Sequence, residues 1–300
     1  MYDVIIIGCG PAGMTAAIYL KQAGINVAII EKNAPGGSMN MAINIKNYPG
    51  FNQIKGAMLS LNMFNQIREL EIPYIYGDVI AINDGEIKQI ITNKDTYETK
   101  YLVISTGRKN KELHIQNEKE YLGKGISYCA ICDGSLYKNK EVVIVGSSIE
   151  TAEEALYLAD QSEGVTIINQ EKDLNINDEL RNSLKNKENI HYLNNSKIIR
   201  LIGNDSLEQI EIKNVVYNET FTKKIDGLFV SIGYEPNSKI FSDLGINCKN
   251  GYIVVDDNNR TNKRNIYAIG DITSKKLYQV VTATSDGAKA AYDIICKENK

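Results

Sequence analysis

The stretch from Val4 to Gly13, VIIIGCGPAG, decides the fold of the first part of the chain. Four consecutive branched apolar residues predict a strand that is buried on both faces of a parallel sheet. The three glycines have the G-x-G-x-x-G spacing that permits a tight turn, a close approach to a pyrophosphate and close packing of the next helix. We predict that this helix runs to about Ala23 and leads into a strand at Val27–Ile30.

Glu31 closes this first unit. A carboxylate at the end of the second strand can accept a hydrogen bond from a ribose hydroxyl. The amino end of the preceding helix offers unpaired N–H groups and a partial positive charge to a phosphate. Because strand, turn, helix and acid agree, the sequence predicts a dinucleotide site here.

A second strand–turn–helix–strand pattern lies further along the chain. It has strands at Val142–Val145 and Val165–Ile168, a turn over Gly146–Thr151 and a helix through Leu158. Two such patterns predict an α/β protein with two dinucleotide-type domains. Alternating polarity predicts antiparallel strands in four other segments, and small residues predict a closing helix in a fifth: Gly85–Thr92, Thr96–Ile104, Ser206–Val216, Phe221–Val230 and, for the helix, Thr282–Tyr292.

Composition excludes several classes of protein. The formal net charge of −3 over 300 residues is too small to indicate a nucleic-acid partner or an anionic membrane surface. No apolar run approaches the ~18 residues of a membrane-spanning helix. The first strand follows the start of the sequence without a signal peptide, so we expect a cytoplasmic protein.

Two of the five cysteines, Cys129 and Cys132, have a spacing with redox chemistry. A C-x-x-C segment closes a small ring in which a disulfide forms and opens readily. Asp133 follows directly and can carry a proton to or from a thiolate. The two histidines are not in ligand spacing, so we expect no metal site. The remaining cysteines are expected to be small buried apolar residues: Cys9, Cys248 and Cys296.

Three further segments favour FAD as the dinucleotide. Gly36-Gly37-Ser38 and Asn47-Tyr48-Pro49-Gly50 follow the acidic end of the second strand, and Ile269-Gly270-Asp271 occurs near the C-terminus. An aspartate placed after a strand and a glycine turn is suited to bind a ribityl hydroxyl group.

With these motifs together, the chain resembles the low-molecular-weight thioredoxin reductases over nearly its whole length. The matching segments are residues 8–13, 36–37, 47–50, 105–107, 129–133, 232–233 with 236–237, 270–271, and Gln279. The resemblance implies two Rossmann-like domains of the three-layer ββα type. It implies a discontinuous FAD domain, residues 1–111 and 236–300, and an inserted nucleotide-binding-like domain, residues 112–235, which carries the dithiol. It also implies a homodimer.

The resemblance assigns roles to individual residues. Cys132 faces the flavin, Cys129 attacks the disulfide of thioredoxin, and Asp133 is the acid and base. FAD is bound non-covalently, and the residues expected at its site are Gly8, Gly10, Pro11, Ala12, Gly13, Glu31, Lys32, Gly36, Gly37, Ser38, Asn47, Thr106, Gly107, Gly270, Asp271, Gln279 and Val280.

The second turn departs from the family pattern. It reads Gly-Ser-Ser-Ile-Glu-Thr at residues 146–151, so Ser148 stands where the backbone should approach a pyrophosphate. Glu150 would repel a diphosphate by roughly 4 kcal/mol for unit charges ~4 Å apart at an effective dielectric near 20. Residues 169–172, directly after Ile168, include no arginine to hold a 2′-phosphate. We therefore expect that NADPH does not bind and that reduced ferredoxin supplies the electrons, as in the ferredoxin-dependent flavin thioredoxin reductases.

The sequence leaves other interpretations of the function open. Glu171 could hold the 2′-OH of NADH, which would make the protein an NAD(P)H-dependent reductase. A dithiol oxidase that uses oxygen, or a non-catalytic flavoprotein, would carry many of the same motifs. For ferredoxin, which is usually acidic, the candidate docking cations are Arg108 with Lys109 and Lys111, or Lys275 with Lys276.

Overall fold

The computed structural model describes residues 1–42 and 45–298. The chain divides into two compact units, Met1–Lys109 with Glu235–Lys300, and Asn110–Tyr234. We call them the outer unit and the inserted unit. Their boundaries lie within two residues of those expected from the sequence, and the cofactor of each unit stays a prediction. Parallel sheets with flanking helices confirm the α/β class.

The elements follow the order expected for an insertion. The first segment contains β1 (Tyr2–Ile7), α1 (Pro11–Gln22), β2 (Val27–Glu31), α2 (Gly56–Glu69), β3 (Tyr74–Tyr76), β4 (Val79–Asn83), β5 (Lys88–Thr92), β6 (Thr96–Ile104) and β7 (Arg108–Asn110). The next contains β8 (Ile126–Ser127), α3 (Ala130–Asp133), β9 (Glu141–Val145), α4 (Ile149–Ala159), β10 (Gly164–Ile168), α5 (Asp178–Lys185), β11 (Ile190–Leu193), β12 (Ser196–Gly203), β13 (Leu207–Asn214), β14 (Thr220–Lys224) and β15 (Gly227–Val230). The last contains β16 (Tyr234–Pro236), α6 (Lys239–Ser242), β17 (Cys248–Lys249), β18 (Tyr252–Ile253), β19 (Ile266–Ala268) and α7 (Val280–Glu298).

The sheet of the outer unit has β1 at its centre. β1 pairs in parallel with β2 and β6, and its residues Val4–Ile6 are fully buried, as the apolar run predicts. β19 adds to β6 in parallel, so residues from both ends of the chain share one sheet. α7 packs on α1 through small residues: a Cβ at Gly287 would lie 2.3 Å from the carbonyl oxygen of Ala12.

The inserted unit has a five-stranded parallel sheet in the order β11-β10-β9-β15-β8, and a separate antiparallel sheet, β12-β13-β14. The predicted helix and strand around the second turn are confirmed as α4 and β10. The α4 helix presents Ala152, Ala155 and Leu158 to a core that includes β9 and β10.

Three predicted segments differ from the structure. Phe221–Val230 is two strands, because Asp226 turns the chain by hydrogen bonding to the backbone of Glu141, so β15 joins the parallel sheet. Thr96–Ile104 is antiparallel only where it pairs with β5; beyond Thr99 it pairs in parallel with β1. The closing helix extends at both ends beyond the predicted range, over Val280–Glu298.

The isolated cysteines do not share one environment. Cys9 is fully buried, as predicted, and burial raises the pKa of its thiol to about 12. The prediction for Cys248 is wrong, because its side chain is exposed in the short β17 strand, and Cys296 is partly buried. Within the described part of the chain, no helix combines the length and apolar character needed to span a membrane.

Candidate functional site

Two glycines of the first turn leave no room for a side chain. Gly8 has φ +108°, and a Cβ there would lie 2.2 Å from the carbonyl oxygen of Ser105. A Cβ at Gly13 would lie 2.1 Å from the carbonyl oxygen of Gly8, where helix and strand pack together. Both positions therefore require glycine for the turn itself.

Gly10 and Gly37 border open space, whereas a Cβ at Gly36 would lie 1.9 Å from the hydroxyl oxygen of Ser60. A Cβ at Gly10 would meet no heavy atom within 4 Å, and one at Gly37, whose φ is +56°, would meet only the Cα of Gly10 at 3.7 Å. Gly10 is the N-cap of α1 and offers no capping side chain, Pro11 follows, and the first turn contains no acidic residue. This helix end can therefore accept a phosphate group without displacing any side chain.

Glu31 is held at the end of β2 by backbone amides. Its carboxylate accepts hydrogen bonds from the N–H of Cys9 at 2.8 Å and from the N–H of Asn33 at 2.8 Å. The bond to Cys9 joins the acid directly to the glycine turn. Lys32, which was also expected at the cofactor site, pairs with Asp78 at 3.5 Å on the surface.

The C-terminal glycine turn meets α1 in the same unit. Gly270 has φ +71°, and a Cβ there would lie 2.9 Å from the Cβ of Ala12. Its N–H donates to Asp286 at 3.0 Å. Burial raises the pKa of the neighbouring Asp271, against the opposing effect of Arg108 and Lys275. A carboxyl group in this position can bond to a hydroxyl in either protonation state.

Hydrogen bonds bring further expected residues together. The amide of Asn47 donates to the side-chain oxygen of Gln279 at 2.9 Å. Thr106 donates to the carbonyl oxygen of Asn237 at 3.0 Å, and the Asn237 amide donates back to the carbonyl oxygen of Thr106 at 2.9 Å. A Cβ at Gly107 would meet nothing within 4 Å. The open glycine cradle, the uncapped helix and the anchored Glu31 fit an extended dinucleotide such as FAD.

The dithiol lies at the start of α3 in the inserted unit. Cys129 and Cys132 form a disulfide, with a Cα–Cα distance of 5.3 Å. Cys129 is the N-cap of the helix, and its sulfur accepts the N–H of Cys132 at 3.2 Å. After reduction this amide is placed to stabilise a thiolate on Cys129. Ile131, between the two cysteines, is 66% exposed.

Ser127 connects Asp133 to the dithiol, a role that no spacing in the sequence indicates. Its buried hydroxyl donates to Asp133 at 2.6 Å and accepts the N–H of Cys129 at 3.0 Å. The second carboxylate oxygen of Asp133 is buried and has no hydrogen-bond partner in the described structure. Burial raises the pKa of Asp133, and the bond from Ser127 opposes that rise. The acid is therefore suited to hold a proton next to the dithiol.

A second pair supports the strand that leads to Cys129. The Tyr128 hydroxyl donates to Glu118 at 2.5 Å, and the N–H of Leu113 donates to the same oxygen at 2.9 Å. Glu118 is 4% exposed, and burial together with this carboxylate raises the pKa of Tyr128. Sequence spacing also gave no indication of this pair.

The second turn is filled by its own side chains. Ser148 and Thr151 form a capping box at the start of α4, in which each side chain accepts the other residue's N–H at 3.3 Å. Thr151 also donates to the carbonyl oxygen of Ser231 at 2.9 Å, and Ser148 donates to Glu150 at 3.1 Å. The side-chain cap that α1 lacks is thus present at α4.

The end of β10 is closed in a similar way. Asn169, 1% exposed, donates to the side-chain oxygen of Asn194 at 2.8 Å and accepts the N–H of Glu171 at 2.6 Å. The side chain of Asn169, the first residue after Ile168, is therefore occupied by hydrogen bonds within the protein.

The candidate docking cations are mostly paired. Arg108 lies 3.5 Å from Asp271 and Lys275 lies 2.6 Å from Asp286, with side chains 15% and 17% exposed. Each of these two side chains turns towards an acid within the outer unit, so each candidate group contains one cation that is mostly buried, and the docking surface stays a prediction. Lys109 pairs with Glu235 at 3.3 Å and stays on the surface. Over residues 1–42 and 45–298, no cluster of three or more His, Cys, Asp or Glu side chains is arranged to hold a metal ion.

Similar proteins span the whole chain. A thioredoxin reductase from Listeria innocua is 38% identical over 97% of this chain and 92% of its own length. The structure of a Streptococcus pyogenes thioredoxin reductase superposes with a TM-score of 0.87 at 36% identity, covering 100% of this chain and 98% of that one. A ferredoxin-flavin thioredoxin reductase from Clostridium acetobutylicum gives 0.54 at 30% identity, covering 99% and 98%.

These likenesses support a thioredoxin-reductase type of protein and do not support a special likeness to the ferredoxin-dependent subgroup. The pyridine nucleotide-disulphide oxidoreductase family matches residues 2–287. With its glycine cradle, its disulfide and this match over nearly its full length, the chain belongs to the pyridine nucleotide-disulphide oxidoreductase family.

Proposed function

We propose that the protein is an FAD-dependent thioredoxin reductase, which passes an electron pair from bound flavin to Cys129–Cys132 and then to the disulfide of thioredoxin. The observation that carries this proposal is the disulfide at the start of α3, with a buried aspartate bonded beside it. The names of the relatives supply the substrate class.

Exchange with thioredoxin requires two steps at the dithiol. The Cys129 thiolate attacks one sulfur of the partner disulfide, forming a mixed disulfide and releasing one thiolate, which takes up a proton. Cys132 then loses its proton to Asp133 and attacks the Cys129 sulfur. The Cys129–Cys132 disulfide re-forms, and the second thiolate of thioredoxin leaves and is protonated. The amide of Cys132 and the raised pKa of Asp133 suit these roles.

FAD would be held by the outer unit. The amino end of α1 and the Gly10–Gly37 space would take the pyrophosphate, Glu31 the ribose, and Asp271 a ribityl hydroxyl. When bound, the flavin would accept electrons from the donor and reduce the disulfide as a pair.

For the donor we propose reduced ferredoxin. Support comes from the matched helix ends: α1 is uncapped, whereas α4 is capped by Ser148 and has Glu150 in its first turn. A pyrophosphate at α4 would displace the cap and meet that carboxylate. The reduction potential of a plant-type ferredoxin is near −400 mV and that of thioredoxin is near −270 mV. Transfer of two electrons from ferredoxin to thioredoxin is therefore favourable by roughly 6 kcal/mol.

NADPH or NADH is the second candidate donor. The family to which the chain belongs is named for a pyridine nucleotide, and the Listeria and Streptococcus relatives are called thioredoxin reductases without mention of ferredoxin. A nicotinamide nucleotide would have to bind the inserted unit without the usual phosphate site, with Glu171 towards a ribose hydroxyl.

One anaerobic experiment tests function and donor together. The purified flavoprotein is mixed with thioredoxin and with NADPH, NADH or reduced ferredoxin, while flavin absorbance and thioredoxin thiols are followed. Of the three donors, we expect only reduced ferredoxin to bleach the flavin and to produce thioredoxin thiols. Bleaching by micromolar NADPH or NADH contradicts the ferredoxin proposal, and no thiol formation with any donor contradicts thioredoxin reduction. In a separate aerobic assay, rapid oxygen consumption with a small dithiol would instead indicate a dithiol oxidase.

Cys129→Ser is the matched variant for the exchange step. We expect it to keep donor-driven flavin bleaching and to lose thioredoxin reduction. Continued thiol formation would show that the roles of Cys129 and Cys132 are misassigned. We further propose that the protein is cytoplasmic and forms a homodimer. Light scattering tests the dimer, for which we expect twice the mass of one chain.

A further inference from the structure

Arg108 lies among the residues expected to bind flavin. Its guanidinium is 3.5 Å from Asp271, and its backbone carbonyl oxygen accepts a hydrogen bond from Ser38 at 3.5 Å. Its Cζ stands 3.9 Å from the ring centroid of Tyr278, the residue before Gln279. The side chain, 15% exposed, therefore points into the outer unit and not into solvent.

The surroundings hold this cation in one orientation. Tyr278 lies under the guanidinium, and its own ring is 5.7 Å from that of Tyr252. A planar guanidinium over an aromatic face is attracted by the ring and loses little freedom on binding there. Tyr278 also hydrogen bonds to the backbone of Thr273 at 3.3 Å, which fixes the ring from its other end.

The charged side chains around Arg108 differ in how they are paired and in how readily they lose their charge. Lys275 is matched by Asp286 at 2.6 Å, and Asp286 also accepts the N–H of Gly270. Asp271 lies 3.5 Å from Arg108, and burial raises the pKa of its carboxyl group against the effect of that cation. A guanidinium remains protonated at every accessible pH. Arg108 is consequently a permanent positive charge beside Asp271 and Ser38, two of the residues expected at the FAD site.

Such a charge acts on the redox equilibrium of a flavin. Two-electron reduction with uptake of one proton leaves one negative charge on the isoalloxazine. A nearby cation in a medium of low dielectric stabilises that product more than the neutral oxidised ring. Charge close to the ring nitrogens is one of the main means by which a protein adjusts flavin potential.

We propose that Arg108 raises the reduction potential of the bound flavin and that Tyr278 is the positioning residue that holds Arg108 in place. This inference rests on the proposed FAD site. It does not depend on which donor reduces the flavin, because it concerns only the equilibrium between oxidised and reduced cofactor.

The test compares flavin midpoint potentials in the holoprotein. Wild type, Arg108→Gln, Arg108→Lys and Lys109→Gln are titrated anaerobically with dithionite against an indicator dye, and the flavin-to-protein ratio is measured. We expect Arg108→Gln to lower the equilibrium ratio of reduced to oxidised flavin at least tenfold, which corresponds to a midpoint potential ~30 mV lower for two electrons. Arg108→Lys should keep most of the wild-type value. Lys109→Gln, which removes a surface charge, should leave it unchanged.

Each outcome decides the matter. An unchanged midpoint in flavin-bound Arg108→Gln, or an equal fall in Lys109→Gln, overturns the inference. If Arg108→Gln loses its flavin, Tyr278→Leu and Tyr278→Phe decide instead: Leu should lower the midpoint and Phe should not, and equal midpoints overturn the inference. Wild-type protein that binds no flavin would refute the proposed function itself, which separates the two failures.

Discussion

Ser127→Ala isolates the control of the proton beside the dithiol. The hydroxyl of Ser127 makes a 2.6 Å hydrogen bond to Asp133 and receives the N–H of Cys129 at 3.0 Å. Alanine removes both bonds. Because it is smaller than serine, it adds no bulk in the packed strand, where Ser127 is 4% exposed. Ser127→Thr keeps the hydroxyl and serves as the matched control.

The magnitude follows from the type of bond that is lost. A hydrogen bond to a charged group contributes about 1.5–3 kcal/mol, and 1.36 kcal/mol corresponds to one pH unit of titration. The bond favours the ionised form of Asp133, whose pKa burial already raises. Its removal should move the Asp133-dependent limb of the pH–rate profile upward by about 1–2 pH units.

The assay is the rate of thioredoxin reduction from pre-reduced enzyme between pH 5 and 9. The stability of the oxidised protein provides an independent reading. Because the folded pKa of Asp133 lies above its ordinary value, its contribution to stability is present at low pH and is lost as pH rises through the folded pKa. Urea titrations should therefore show that Ser127→Ala loses this contribution at higher pH than wild type does. A pH–rate limb that stays in place in Ser127→Ala would refute the coupling of Ser127 to Asp133.

Three other variants test separate parts of the structure. Gly13→Ala should destabilise the protein by about 1–3 kcal/mol, since its Cβ would lie 2.1 Å from a backbone oxygen. Gly10→Ala should fold normally and bind FAD more weakly, because a Cβ there meets only open space. Thermal melts measure the stability of both variants, and the flavin-to-protein ratio measures FAD binding. Ser148→Gly should lower stability by about a few tenths of a kcal/mol in urea titration, and faster flavin bleaching by NADH in this variant would support the cap as the obstacle. Asp293→Asn should cost about 1–2 kcal/mol at pH 7, a value discounted because its partner Arg260 is 41% exposed. In urea titrations, the difference from wild type should shrink as pH falls below 3.8, the ordinary pKa of an aspartate, and should vanish only below the depressed pKa of Asp293 in the folded protein.

Local pattern was enough to predict the parts of the fold that depend on neighbours in sequence. The strand predicted at Val27–Ile30 is β2 with one more residue, and the helix predicted to end near Ala23 ends at Gln22. An apolar run followed by glycines at fixed offsets constrains only a few adjacent turns of backbone. The C-x-x-C segment is equally local, and its two cysteines are joined as a disulfide.

Features that depend on distant partners could not be predicted in this way. Phe221–Val230 has the composition of one strand, and only the contact of Asp226 with Glu141 divides it. Arg108 looks like a surface cation in sequence and is drawn inward by Asp271 and Tyr278, which come from the far end of the chain. Ser127 has the same limitation, because a serine two residues before a cysteine carries no pattern of its own.

The shared sheet of the outer unit has a consequence for biosynthesis. β6 pairs with both β1 and β19, so the strand order closes only when Ile266–Ala268 has left the ribosome. The inserted unit, complete by Tyr234, contains all of its own parallel strands and precedes that event. Domains fold in the order of their synthesis when their contacts allow it. The nascent chain should therefore display a folded dithiol unit before any flavin can be loaded, and ribosome-stalled fragments that end before α7 should be colourless.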